Sequence, residues 1–302
     1  MVGHSRRTFI AGSTMAASTL MPLARTVLAQ DATPEATPIV VAPQAALPAE
    51  WGEVQGEWAE INGIRLYYEI YGEGEPLILL HGGLGNGTYF AFQIPVLAEH
   101  YQVIVVDSRG HGRSTFNETP ISYEVMAGDV LALMDKLAIE QANIVGWSDG
   151  GIIGLELAIH HPGRLLKVVA FGANFDPSGV RLDVGTNATF NAYIEQAYAD
   201  YLALNPEPER WDEFIANITN MWATEPNYTW AQLGAITTPI LILDGETEEA
   251  IDLNQTKLMY FLIPDSSLYI IPGSGHFAFI EQPDLFNQIV LDYLAGDLAT
   301  PV

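Results

Sequence analysis

Ser148 stands in Gly146-Trp147-Ser148-Asp149-Gly150, directly after an apolar run (Ile144, Val145) and before a helical pattern. That pattern carries Ile153, Leu155, Leu157 and Ala158 to a stop at Pro162. A buried strand, a sharp turn and a helix, in that order, place a serine at the tip of a strained bend with its hydroxyl exposed above the end of a sheet. Glycines two residues to either side are what such a bend demands, because side chains there would collide across it. The five letters recur by chance; the strand before them and the helix after them carry the reading.

A serine hydroxyl is a poor nucleophile until a base takes its proton and an acid orients that base. Of the seven histidines, His276 is the best placed, in the glycine-rich Pro272-Gly273-Ser274-Gly275-His276-Phe277 that follows the last apolar strand pattern. His4 lies in the N-terminal segment, His100 and the His160-His161 pair close helices, and His81 and His111 belong to other loops. The acid is expected after the seventh strand, in Asp244-Gly245-Glu246-Thr247-Glu248-Glu249, which gives the chain order serine, acid, histidine. Glu248, three residues after Gly245, is the first choice; Glu249, Glu246 and Asp252 are local alternatives and Asp176 a more distant one.

The oxyanion of an acyl-transfer intermediate needs two preorganised N–H donors. One is expected from Asp149 and the other from the loop Leu80-His81-Gly82-Gly83-Leu84-Gly85, with Gly83 preferred and Leu84 the fallback. Asp149 and Leu84 are also the expected substrate contacts. The Asp149 side chain has two readings: a partner for a cationic group near the scissile carbonyl, or a carboxylate satisfied by neighbouring backbone or arginine. Arg109 and Arg113 are expected to fix their own loop, and Ser114 to cap its end.

These residues need a frame. Strand patterns cover 57–61, 65–71, 77–80, 103–106, 143–145, 167–171, 240–243 and 268–271. Asn62-Gly63 joins the first two as a hairpin. The later ones are short continuous apolar runs, as in a parallel sheet covered on both faces. Helical patterns near 89–97, 123–137, 152–160, 254–262 and 285–294 alternate with them, predicting a doubly wound, mostly parallel eight-stranded sheet. From about 176 to 236 the alternation stops, and aromatic-rich helical stretches take over (Phe190, Tyr193, Tyr198, Tyr201, Trp211, Phe214, Trp222, Tyr228, Trp230). That insertion predicts a helical cap over the Ser148 turn, with most of its aromatics holding the cap together and one or two lining the pocket mouth.

Outside this frame, Ser5-Arg6-Arg7-Thr8-Phe9-Ile10 precedes a weakly apolar run and the small-residue pattern Val27-Leu28-Ala29. The segment resembles a twin-arginine export signal over 1–29. Residues 30–50, rich in Pro, Ala and Thr, read as a tether. About 250 residues remain, the size of one domain. The chain has 12 Lys and Arg against 37 Asp and Glu, a formal net charge of −25. Losing Arg6, Arg7 and Arg25 with the signal makes the remainder three charges more negative still. Such a surface repels phosphate backbones and anionic lipid, so nucleic-acid and stable membrane association are disfavoured. There is no cysteine and no metal-ligand spacing or phosphate-cradling loop, so neither metal nor nucleotide cofactor is expected.

Together His81-Gly82-Gly83, Asp107 to Ser114, Gly146 to Gly151 and Gly275-His276 resemble the α/β-hydrolase superfamily, in its cap-bearing branch, from about 57 to 295. The string Gly146 to Ile152, with Gly172-Ala173-Asn174, is more specifically similar to biphenyl hydrolase-like proteins. That resemblance implies a serine esterase acting on small substrates, amino-acid esters among them. It also implies an aspartate at the acid position, where this chain has Glu248. The resulting expectation is an exported serine hydrolase that cleaves a small carboxylic ester, lactone or related acyl bond, partnered only by its substrate and, during transport, by the twin-arginine machinery. Aminopeptidase, carbon–carbon bond hydrolysis and perhydrolysis are alternatives for the same triad, and a low-turnover binding module is a further one.

Overall fold

The structure is a computed structural model, and it describes residues 56–298. The segments read above as a signal and a tether, 1–29 and 30–50, lie outside the described residues. Eight strands form one sheet: β1 (Glu57–Ile61), β2 (Ile64–Tyr71), β3 (Glu75–Leu80), β4 (Tyr101–Val106), β5 (Ala142–Trp147), β6 (Leu165–Phe171), β7 (Ile240–Gly245) and β8 (Ser266–Ile271). Their spatial order is β1-β2-β4-β3-β5-β6-β7-β8. β1 and β2 form an antiparallel hairpin, β2 pairs antiparallel with β4, and every pairing from β4 through β8 is parallel. Asn62 and Gly63 both take positive φ at the hairpin turn, as its two-residue loop requires.

The sheet centre is apolar on both faces. β5 and β7 are buried at every position. Helices α1 (Ile94–Leu97), α2 (Tyr123–Lys136), α3 (Asp149–His160), α4 (Ala188–Leu204), α5 (Trp211–Thr224), α6 (Trp230–Leu233), α7 (Leu253–Leu262), α8 (Ala278–Glu281) and α9 (Pro283–Ala295) complete the described residues, together with short 3-10 turns. Two helices differ from expectation. The pattern near 89–97 forms a 3-10 turn at Gly87–Phe90 and then the single turn α1, because Pro95, in the first turn of α1, has no N–H with which to continue a helix from the residues before it. Helix α3 begins at Asp149, directly after Ser148, three residues earlier than the apolar periodicity indicates.

Between β6 and β7 the chain forms α4, α5 and α6 and contributes no strand to the sheet. Specific bonds tie this segment to the loops at the C-terminal ends of β3, β4 and β5. The Tyr193 hydroxyl donates to the Gly83 carbonyl (2.5 Å). The Asn205 amide reaches the carbonyls of Gly110, Gly112 and Ser114 at 3.1 to 3.3 Å. Trp222 Nε1 lies 3.0 Å from both carboxylate oxygens of Asp149. A helical cap therefore sits over the strand ends where ligands bind in open α/β sheets.

Candidate active site

Ser148 has φ 54° and ψ −118°, a left-handed conformation for a residue that carries a side chain. Its N–H donates to the Phe171 carbonyl at the end of β6 (2.7 Å), which pins the bend to the neighbouring strand. A Cβ on Gly146 would lie 2.2 Å from the Gly150 carbonyl oxygen, and one on Gly150 would lie 2.0 Å from that of Leu80. The flanking glycines are thus required by backbone contact across the turn.

His276 follows β8 and is buried, with Nδ1 2.7 Å from Glu248 Oε1. Aromatic rings hold the imidazole: Trp147 at 5.8 Å, Phe277 at 5.5 Å and Phe190 from the cap at 6.3 Å between centroids. A Cβ on Gly172, which has φ +61°, would come within 2.9 Å of its Nδ1. The residue that receives the Ser148 N–H and the residue that makes room for the His276 ring are therefore consecutive. Burial pushes the His276 pKa below its ordinary 6.5, so the ring is neutral at neutral pH and able to accept a proton.

Glu248 Oε1 accepts the backbone N–H groups of Ala250 (2.7 Å) and Ile251 (2.9 Å). Burial raises the Glu248 pKa to about 7, against the opposing pull of the neighbouring Asp244 carboxyl and of those two N–H donors. The alternative acids are engaged elsewhere. Glu249 accepts the backbone N–H of His276 (2.6 Å), and Glu246 that of Gly273 (2.9 Å). Asp252 caps α7 through Asn254, and Asp176 caps a 3-10 turn through Ser178. Glu248 is the carboxylate that meets the imidazole.

Among the described residues, the N–H groups of Asp149 and Gly83 donate to no protein acceptor, and the same holds for Leu84. A Cβ on Gly83 would meet Asp149 Oδ2 at 2.4 Å and the Trp222 ring at 2.5 Å, so only glycine fits there. Leu84 has φ +67°, is buried in the core, and is not among the residues that line the cavity.

That cavity, about 400 Å³, is lined by Ser148 and Asp149, by Phe190 and Trp222 from the cap, and by aliphatic side chains such as Val180 and Ile251. Of the cap aromatics named above, Phe190 and Trp222 are the ones that line it. The Asp149 carboxylate accepts from the Tyr123 hydroxyl (2.9 Å) as well as from Trp222, and burial raises its pKa to about 6. Its partners are a phenol and an indole, rather than the backbone or arginine expected of a satisfied carboxylate.

Tyr123 and Asn174 line the site without an expected role there. Tyr123 and Trp222 are 26 and 73 residues from Asp149, so no local spacing could have joined them. Arg109 makes a bidentate, buried pair with Asp129 (2.8 and 2.7 Å). Arg113 pairs with Asp107 (3.1 Å), and Ser114 Oγ bridges Tyr67 N–H and the Asp107 carbonyl. All three fix the loop after β4, and none lines the cavity. Among the described residues no group of three or more His, Asp or Glu side chains is arranged to hold a metal ion.

Residues 75–199 match the α/β hydrolase fold family. The mouse (Mus musculus) serine hydrolase BPHL is 30% identical over 271 residues, covering 84% of this chain and 92% of that protein. A putative carbamate hydrolase RutD from Caulobacter sp. (strain K31) is 29% identical, covering 78% of this chain and 97% of its own. Among solved structures, the enol-lactonase from Burkholderia xenovorans LB400 superposes with a TM-score of 0.63 at 26% identity, over 79% of this chain and 99% of that one.

Proposed function

This chain belongs to the α/β-hydrolase fold family and is a hydrolase, and we propose that it cleaves a small carboxylic ester or lactone through an acyl-enzyme on Ser148. Ser148 attacks the carbonyl carbon while His276 takes the hydroxyl proton, and the Asp149 and Gly83 N–H groups receive the oxyanion. His276 then protonates the departing alkoxide, Glu248 steadies the imidazolium, and a water activated by the same histidine releases the acid. The observation that carries this reading is the His276–Glu248 contact of 2.7 Å, set beside a serine held at positive φ on the wall of the cavity. The cavity's aliphatic and aromatic walls favour a compact apolar acyl or alcohol part. A panel of p-nitrophenyl esters and lactones, assayed with the parent and with Ser148→Ala, tests it: turnover that survives Ser148→Ala refutes the acyl-enzyme.

One observation favours a narrower class. The buried Asp149 carboxylate lines the cavity and has no lysine or arginine partner among the described residues. A substrate ammonium would supply the missing counter-charge. On this reading Asp149→Asn lowers kcat/KM on amino-acid esters far more than on their neutral acyl counterparts; an equal loss on both removes the recognition role.

We further propose that residues 1–29 direct export. Replacing Arg6 and Arg7 with lysine should strand the protein in the cytoplasm; unchanged export would contradict the signal.

A further inference from the structure

Behind the His276–Glu248 pair lies a carboxyl that the proposed mechanism does not use. Asp244, near the C-terminal end of β7, is fully buried, and its carboxyl lies against that of Glu248. Two buried carboxyls in contact cannot both be ionised, so the pair holds a proton.

The donors around each group decide where it sits. Glu248 Oε1 accepts two backbone N–H groups and faces His276 Nδ1, all of which favour a carboxylate. Glu248 Oε2 is buried and has no N–H or hydroxyl donor. Asp244 has one obligatory donor, the Gly245 N–H (2.9 Å), and one hydroxyl, Thr256 Oγ1 (2.6 Å), which can accept as readily as donate. The charge is better held on Glu248, and the proton belongs on Asp244.

We propose that Asp244 is a positioning residue of this site, its neutral carboxyl donating to the otherwise donorless Oε2 of Glu248 and so keeping Glu248 ionised with Oε1 turned to His276. Burial raises Asp244 well above the ordinary carboxylate range, in agreement. The other charged groups that act on this cluster leave the assignment intact. Glu249 sits on the same loop, Glu281 and Asp149 act on His276, and Arg181 is engaged with Asp183. The inference rests on reading Ser148, Glu248 and His276 as a triad.

The sign of a pH shift separates this arrangement from an ionised Asp244. A donor holds the Glu248 pKa down, so its loss moves the acid limb of kcat/KM to higher pH; loss of a neighbouring anion would move it to lower pH. Asp244→Asn, whose amide still donates, is expected to leave the limb in place and keep most of the activity. Asp244→Leu is expected to raise the limb by about one unit or more and to lower kcat/KM about tenfold to a hundredfold, the range for loss of one hydrogen bond to a charged group. A downward shift in both variants, or no shift in either, overturns the proposal.

Infrared difference spectra at pH 8 between parent and Asp244→Asn give a readout that needs neither turnover nor a folded leucine variant. The parent should show the carbonyl band of a neutral carboxylic acid that Asp244→Asn lacks, and its absence also overturns the proposal. Loss of the triad reading would appear separately, as turnover independent of Ser148.

Discussion

Ser148 concentrates two properties in one residue: the hydroxyl proposed as nucleophile and a backbone conformation that side chains resist. Such a conformation costs roughly 1–3 kcal/mol, which glycine escapes. Ser148→Gly should therefore be more stable than Ser148→Ala, with a melting temperature higher by about 2–4 °C per kcal/mol recovered. Equal melting temperatures would mean that the bend is unstrained. A second outcome concerns protons. The His276–Glu248 pair is poised to lose its last proton near the raised Glu248 value of about 7, leaving neutral imidazole beside carboxylate. The kcat/KM should accordingly fall as the pH drops through about 7, with the midpoint belonging to the pair rather than to either group. In Glu248→Gln the histidine loses its buried anion, so the midpoint should move to lower pH while the maximal rate drops sharply. A midpoint unmoved by Glu248→Gln would detach the acid from the histidine.

At the scale of elements, the site is assembled by strand ends and loops that the cap holds in place. Asn205 at the C-terminal end of α4 serves three carbonyls of the loop after β4 with one amide. Asn205→Leu leaves those buried acceptors without their donor, an effect of about 1–3 kcal/mol. Thermal unfolding should record it as a fall of several degrees, and no change would mean that the cap is held by its aromatic packing alone. The elements also explain what could be read in advance. Continuous apolar runs such as Leu77–Leu80 and Ile240–Leu243 announce a parallel sheet in their own letters, and Gly146-x-Ser148-x-Gly150 announces its bend. The cap's composition was equally plain. Its docking was not, because Tyr193 to Gly83 and Trp222 to Asp149 are contacts between residues 110 and 73 positions apart. The pattern near 89–97 misled because its apolar spacing is helical, while Pro95 has no N–H with which to carry a helix through from the residues before it.

For the whole molecule, the acidic surface and the buried carboxyls act in the same direction. Asp149 has a folded pKa of about 6 against an unfolded value near 3.8. The folded chain therefore holds a proton that the unfolded chain has released between those values. That contribution to stability is full below pH 3.8 and is lost as the pH rises through 6. Urea unfolding should show the parent losing stability from pH 5 to pH 8, with Asp149→Asn losing less over the same interval. An identical slope in both proteins would mean that Asp149 titrates alike folded and unfolded. Chain order alone indicated serine, acid and histidine, but it left the acid open among several neighbours. Only the folded loop separates Glu248 from Glu249, whose carboxylate turns to the His276 backbone rather than to its ring.

The central claim is that Ser148 is a nucleophile activated by His276 and Glu248. Its most direct test is labelling of the folded protein with a fluorophosphonate, followed by mass mapping of the adduct in the parent, Ser148→Ala and His276→Ala. The account expects one adduct per chain, on Ser148 in the parent, absent from Ser148→Ala and slowed by orders of magnitude in His276→Ala. An adduct on another residue, or equal labelling in His276→Ala, would contradict it.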